Sequence, residues 1–280
     1  MARFQIGIVA LNRNPHTPCF LDFAKALAAA LRRLGHEVKY ATPGGEGRLI
    51  LFGANNLRDD LEHPAIPADA IVYNSEQLAA LKDPTFFLQG WIGFKDHVLW
   101  EYSEANMVAL KTLDLRGVLC PVGYVPEMEV VPQATDEDID VLFYGSVAGP
   151  RREVLDALDA SGLHVVRLFG VYGAERDAYV ARSKVVLNLH YYPRGVFEIF
   201  RVSHLLANRK CVLTESGGCD AGLEAFAERS CAYVPRARIV DECRRLVADA
   251  TARRAQAERG YEEFKKVDLV ENVRRAVEQS

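Results

Sequence analysis

Residues 140–152 read DVLFYGSVAGPRR. Val141–Tyr144 is an apolar run rich in strand-forming residues, Gly145 and Ser146 interrupt it, and a helical pattern begins at Pro150. Strand, glycine loop and helix in that order form the repeating piece of a parallel α/β sheet. Proline suits the start of a helix. A helix start exposes unpaired N–H groups and a partial positive charge. Gly145 lets a phosphate approach the backbone, Ser146 lies beside it, and Arg151 and Arg152, read as solvent-facing on the first turn, add charge. The stretch is therefore either a diphosphate cradle or a tight turn followed by two exposed arginines.

The same rhythm runs outward in both directions. Upstream, strands are predicted over Phe4–Leu11, Glu37–Ala41, Leu49–Phe52, Ala70–Tyr73, His97–Tyr102 and Gly117–Pro121, with a helix over Leu21–Leu34. Ser103 is placed to cap a second helix, Glu104–Leu113. Downstream, the helices Arg151–Ala160, Ala174–Ser183 and Phe197–Asn208 alternate with the strands Leu163–Phe169, Lys184–Leu189, Lys210–Thr214 and Cys231–Val234. From Arg236 onward the chain reads as charge-rich helix. Between the halves, residues 130–140 (VVPQATDEDID) are polar and acidic and form the linker candidate. Two α/β domains are expected, 1–132 and 133–280, the second including the C-terminal helices. Ligands of such sheets bind beyond the carboxyl ends of the strands, so the loops after each strand are the places to look.

Composition narrows the function classes. The 280 residues carry 34 Lys+Arg against 38 Asp+Glu, a net charge of −4, and 49% are hydrophobic. That mixture excludes general disorder and does not suggest a dedicated nucleic-acid or anionic-membrane binder. No apolar run approaches the roughly 18–20 residues of a membrane span, so no stable membrane insertion is expected. The first residues lead into a strand pattern, not a signal peptide. Six cysteines, Cys19, Cys120, Cys211, Cys219, Cys231 and Cys243, form no C-x-x-C pair. Reduced thiols and a cytoplasmic location are the expectation.

Four further loops could carry chemistry. Phe169–Gly173 holds Gly170, which lets a base lie against the backbone, and Tyr172, which can stack on it or pack as an ordinary turn residue. Asn188 and His190 open a polar, aromatic loop that runs into a helix bearing Glu198 and Arg201, three apart on one face. Glu198 near the helix start can accept ribose hydroxyls, or it is an exposed partner of Arg201. The loop Asn12–Pro18 follows the first strand without the G-x-G-x-x-G of dinucleotide enzymes. Its His16 is a candidate general base, or a hydrogen-bonding loop residue. Glu101, at another strand end, is the second candidate for base. Asp138-Ile139-Asp140 spells a metal–diphosphate signature but sits before its strand, so no metal site is assigned. Ser216-Gly217-Gly218 lacks the setting of a nucleophile elbow.

Together these stretches resemble bacterial GT-B-fold glycosyltransferases. The resemblance rests on DVLFYGS (140–146), the Gly170–Gly173 loop, KVVLN (184–188), FEIFRVSHLLANRKCVLT (197–214) and the Arg-rich C-terminal helices. WEYSEAN (100–106) with PVGY (121–124) resembles the end of the first domain. It implies two Rossmann-like domains facing across a cleft, with the nucleotide-diphospho-sugar held by the C-terminal one and the acceptor by the N-terminal one. It also implies a co-substrate in place of a resident cofactor, and no obligatory metal. Glu198 is followed eight positions later by Leu206, so the glutamate pair of many retaining members is absent. The acceptor class (glycan, lipid, protein, small molecule or modified nucleic acid) and the oligomeric state are not legible. A non-catalytic sugar-nucleotide binding module and a two-domain sugar-nucleotide epimerase are the alternatives.

Overall fold

The run RFQIGI becomes strand β1 (Arg3–Ile8), with Phe4–Gly7 buried in succession. Continuous burial along a strand means that both faces of its sheet are covered, as in parallel α/β folds. The computed structural model describes residues 1–9, 16–42, 45–54, 57, 66–81, 94–134 and 136–280. These fall into two compact units, 1–127 with 268–280, and 128–267.

In the first unit, β2 (Glu37–Tyr40), β3 (Arg48–Phe52), β4 (Ile71–Tyr73), β5 (Val98–Glu101) and β6 (Gly117–Leu119) join β1 in a parallel sheet. Its order is β2-β1-β3-β4-β5-β6. Helix α1 (Leu21–Arg33) buries an alanine- and leucine-rich stripe. Helix α2 (Glu104–Thr112) is capped by Ser103, whose side chain accepts from the Asn106 N–H. Aromatic side chains run across the strands: Phe52 stacks on Tyr73 at 5.1 Å, and Tyr73 meets Trp100 edge-on at 6.3 Å. The Tyr73 hydroxyl donates to the Cys120 carbonyl at 2.6 Å.

The second unit holds β7 (Ile139–Tyr144), β8 (Val165–Leu168), β9 (Ser183–Asn188), β10 (Val212–Glu215) and β11 (Ala232–Val234). All pairings are parallel, in the order β11-β10-β9-β7-β8. Helices α3 (Arg151–Asp159), α4 (Gly173–Arg182), α5 (Ile199–Ala207), α6 (Ala221–Ser230), α7 (Ile239–Ala248) and α8 (Ala250–Lys265) alternate with or follow these strands. Buried Asn208 ties the start of the unit to α5. Its amide oxygen accepts from Val130 N and Val131 N, and its amide nitrogen donates to the Met128 and His204 carbonyls.

The expected boundary at 132/133, with every C-terminal helix in the second half, needs correction. The units part at 127/128, and the last helix, α9 (Leu269–Glu278), belongs to the first. Its charged sequence conceals an apolar stripe, Leu269, Val273 and Ala276, which is buried. The helix packs against α1. Beyond it, Ser280 Oγ accepts from the Trp100 indole at 2.8 Å, and Arg116 donates to the Gln279 carbonyl. Among the described residues no helix is long and apolar enough to cross a membrane. The six cysteines are free thiols, and burial pushes Cys211, Cys231 and Cys243 up to about 12.

Val273→Asp is therefore expected to destabilise the first unit. An unpaired carboxylate buried in an apolar contact costs about 3 kcal/mol or more. Urea unfolding followed by tryptophan fluorescence measures it, and an unchanged midpoint would mean that α9 does not depend on this packing.

Candidate functional site

In the second sheet, the chain leaves β7 for β8 on one side, then returns to build β9, β10 and β11 on the other. The switch point thus lies between β7 and β9, where loops diverge and leave a crevice. The Gly145 loop stands at one side of that point and Asn188–His190 at the other. Gly145 has φ 137°, a region open to glycine, and a Cβ there would stand 3.1 Å from Arg201 Nη2 and 3.7 Å from Arg151 Nη1. Its N–H already donates to the Leu168 carbonyl. What the loop offers a ligand is therefore the convergence of two guanidinium groups.

Arg151 does not face solvent as expected; it is 3% exposed. It shares the buried stripe of α3 with Val154, Leu155 and Leu158, at spacings of one and two helical turns. Its guanidinium donates to the Leu189 carbonyl from Nε (3.1 Å) and Nη2 (2.7 Å), to the Ser146 carbonyl from Nη1 (3.2 Å), and to Glu198 Oε1 from Nη2 (3.0 Å). It also lies over the rings of Phe143 and Tyr191. Burial pulls its pKa down to about 10 against the pull of Glu198. Arg152, one residue on, is exposed.

Glu198 sits at the start of α5 and lies between two arginines: Oε2 is 4.0 Å from Arg201 Nη2. Arg201 Nη1 donates to Asn188 Oδ1 at 3.1 Å, and Asn188 in turn donates to Thr214 Oγ1 at 2.9 Å. The Arg201 side chain keeps 16% of its surface open. It has more hydrogen-bonding capacity left for a ligand than Arg151, which is 3% exposed and makes four donations. Tyr144, at the end of β7, lies between Arg201 (5.5 Å) and Arg176 (5.8 Å).

His190 is buried, with neither ring nitrogen hydrogen-bonded. Its backbone N–H lies 3.3 Å from Glu215 Oε2, while Glu215 Oε1 accepts from Arg236, which also donates to the Pro150 carbonyl. Gly170 (φ 73°) precedes Tyr172, the N-cap of α4, on the far side of β7. Phe169–Gly173 follows β8, so this loop adjoins the Gly145 loop across one strand pair.

The first unit holds the two candidate bases. Residues 12–15 of the first loop lie outside the described residues. His16 is partly buried, and its carbonyl accepts from Cys19 N at the entry to a short 3-10 helix, Thr17–Phe20. Glu101, the second candidate for base, is fully buried at the end of β5. Its Oε1 accepts from Tyr102 N (2.8 Å), Ser103 N (3.1 Å) and Asn106 Nδ2 (3.0 Å), and its Oε2 from Asn74 Nδ2 (2.5 Å). Burial pushes its pKa up to about 8 against these four donors. Glu101 is a bracket that fixes the loop before α2.

Reading the sequence missed two groups. Asp177 of α4 meets His204 of α5 at 2.8 Å and Arg176 at 2.6 Å, all three buried. His204, polar in an otherwise apolar helix face, was the visible signal. Glu215 ends β10, and its partner Arg236 lies in a distant segment that spacing does not link to it. Asp138 pairs with Arg182, and Asp140 accepts from Lys184 at 2.6 Å, so both acids of the D-x-D stretch are engaged in ion pairs. Among the described residues no group of three or more His, Cys, Asp and Glu is arranged as metal ligands.

No protein-family model matches the chain. It is 25% identical over 187 residues to uncharacterized protein L140 of Acanthamoeba polyphaga mimivirus, covering 66% of this chain and 51% of that protein. It is 38% identical over 69 residues to uncharacterized protein L138 of the same virus, covering 24% and 8%. The chain thus spans about half or less of the curated relatives it matches. Among solved structures it is similar to WaaG, a glycosyltransferase involved in lipopolysaccharide biosynthesis, with a TM-score of 0.61 at 10% identity over 100% of this chain and 99% of that one. A mutant of T4 phage BGT in complex with UDP-glucose gives 0.60 at 11% identity over 99% and 98%. AviGT4, a glycosyltransferase involved in avilamycin A biosynthesis, gives 0.55 at 15% over 99% and 98%. The fold of the chain is the α/β fold of GT-B glycosyltransferases, with two parallel sheets.

Two substitutions separate the arginines of α3. Arg151→Ala removes a buried guanidinium and leaves Glu198 and the Leu189 carbonyl without their donor. A loss of about 3–5 kcal/mol is expected, whereas Arg152→Ala should stay within about 0.5 kcal/mol. Thermal melts of both variants check this; equal melts would mean that Arg151 is not a buried tie.

Glu101→Gln tests the bracket. An amide places its N–H group against Asn74 Nδ2, so a loss of about 1–3 kcal/mol is expected. An unchanged melting temperature with lost activity would restore Glu101 as a base.

Proposed function

We propose that the chain is a glycosyltransferase that moves a sugar from a nucleotide-diphospho-sugar to a hydroxyl-bearing acceptor without a metal ion. The observation that carries this reading is the pair of guanidinium groups meeting at a Cβ-less residue at the switch point of the second sheet. With Glu198 paired to Arg151, the more open Arg201 is left to meet the charge of a diphosphate, and the fold is one that WaaG and AviGT4, both glycosyltransferases, share.

In the reaction the acceptor oxygen bonds to the anomeric carbon as that carbon's bond to the phosphate oxygen breaks. The electron pair leaves with the nucleoside diphosphate, and the acceptor proton passes to a base or to the departing phosphate. Preorganised positive charge at the leaving group lowers the barrier. Arg201, with a partly open side chain, supplies that charge directly. Arg151 holds Glu198 and the two loops that fix the position of Arg201. Asn188 orients Arg201, Gly170 and Tyr172 border the space for the base, and His190 and Glu198 lie where the ribose and phosphate enter. His16 takes the acceptor proton if the reaction inverts. T4 phage BGT is also seen with UDP and Mn²⁺, and an α-glucosyltransferase with UDP and DNA, so metal and acceptor each need their own arm in the test.

The experiment is a panel of nucleotide-diphospho-sugars, with release of nucleoside diphosphate measured with and without EDTA and candidate acceptors. Turnover of at least one donor is expected, unchanged by EDTA. Arg201→Ala should lower kcat/KM about tenfold or more, as loss of a charge-assisted hydrogen bond implies. His16→Ala should lower kcat by about 10²–10⁴-fold with donor affinity nearly unchanged. Binding without turnover of any donor would favour a sugar-nucleotide binding module. Activity lost to EDTA and restored by Mn²⁺ would overturn metal independence. A folded Arg201→Ala protein with wild-type kinetics would place the phosphate elsewhere.

A further inference from the structure

The second unit carries a cavity at the opposite end of its sheet, beside the amino ends of β9 and β10. Its volume is about 490 Å³, within the range of roughly 300–1,000 Å³ that takes small organic ligands. Lys184, Arg209, Lys210, Arg253 and Arg254 line it, against two carboxylates, Glu137 and Glu258. Lys210 and Arg253 are 6% and 7% exposed. Both use the same partner: Lys210 Nζ lies 3.3 Å from Glu137 Oε1, and Arg253 Nη2 lies 3.1 Å from Oε2. Backbone carbonyls take further donors, Ala181 from Lys210 Nζ at 3.1 Å and Leu246 and Val247 from Arg253 Nη1 at 2.9 and 3.2 Å, but the two largely desolvated cations share a single carboxylate, so a second anion beside them is favoured.

The other cations leave that balance positive. Lys184 pairs with Asp140, and Arg209 lies between Glu129 (3.5 Å) and Glu258 (3.4 Å). Even with Asp140 and Glu129 counted, five cations face four carboxylates. Arg254 is exposed beside them. Arg209 has φ 51° directly after the C-cap of α5, a left-handed position where glycine is the usual residue. An arginine held there, with its guanidinium 3.5 Å from the centre of the Tyr261 ring, keeps a charge at the pocket rim despite backbone strain.

We propose that this cavity binds a phosphorylated small molecule through its phosphate oxygens, at a site separate from the one between β7 and β9. A phosphate supplies the second anion that Lys210 and Arg253 lack, and the arginine forks suit its geometry. The site is concave and interrupted by Glu137 and Glu258, on a chain of net charge −4. Those features suit a compact anion better than the continuous basic track that a nucleic acid requires.

The test is titration calorimetry with inorganic pyrophosphate at about 150 mM salt, where weak surface attraction is screened. The full chain carrying Arg201→Ala, which weakens the other anion site, is compared with the same chain also carrying Arg209→Gly and Arg254→Ser. Glycine suits the positive φ at 209, so the fold is preserved, and a thermal melt verifies it. The Arg201→Ala chain is expected to bind one pyrophosphate, and the added substitutions to weaken binding tenfold or more. No binding to the Arg201→Ala chain, or equal affinity in both chains, overturns the proposal. Displacement of pyrophosphate by a short DNA duplex but not by a sugar phosphate also overturns it, in favour of a nucleic-acid surface.

Discussion

The second unit depends on the placement of one buried guanidinium, that of Arg151. Its donors reach the loop after β7 through Ser146, the loop after β9 through Leu189, and the start of α5 through Glu198. A charged group almost without solvent is tolerated because it is paired with a carboxylate and has carbonyl acceptors around it. The consequence is geometric. Glu198, held from one side by Arg151, stands at 4.0 Å from Arg201 on the other, and Asn188 Oδ1 accepts from Arg201. The more open arginine is thus aimed at the glycine loop by a chain of contacts that begins with the buried one.

The division of labour between two neighbouring arginines shows how much of the site was legible. The βα pattern, the parallel sheets and nearly every element could be read from apolar runs and turn residues, because strands buried on both faces leave an unmistakable run. The Gly145 loop and the Asn188–Arg201 segment were legible for the same reason: each follows a strand end. The orientation of Arg151 was also written in the sequence, since it stands three, four and seven residues before Val154, Leu155 and Leu158. A charged residue on an apolar stripe reads as buried only if the stripe is weighed above the charge.

Other features lay beyond local pattern. Four donors converge on Glu101 from Asn74, Tyr102, Ser103 and Asn106, and Asn74 is 27 residues away. No spacing rule reveals that a strand-end carboxylate is consumed in this way. The last helix was expected in the second unit because Arg274, Arg275, Glu271 and Glu278 dominate its composition, while Leu269, Val273 and Ala276 are the residues it buries in the first. The pairing of Glu215 with Arg236 and of Asp177 with His204 likewise joins segments that the chain order separates by a strand or a helix.

Arg201, aimed by Glu198 and Asn188, is the residue proposed to take the diphosphate of a nucleotide. Titration calorimetry with a nucleoside diphosphate and its parent nucleoside, on the wild-type and Arg201→Ala proteins, tests this claim most directly. In the wild type the diphosphate should bind at least about tenfold more tightly than the nucleoside, the effect of one charge-assisted hydrogen bond. In Arg201→Ala that advantage should collapse while nucleoside affinity holds. The same diphosphate advantage in both proteins would contradict the claim.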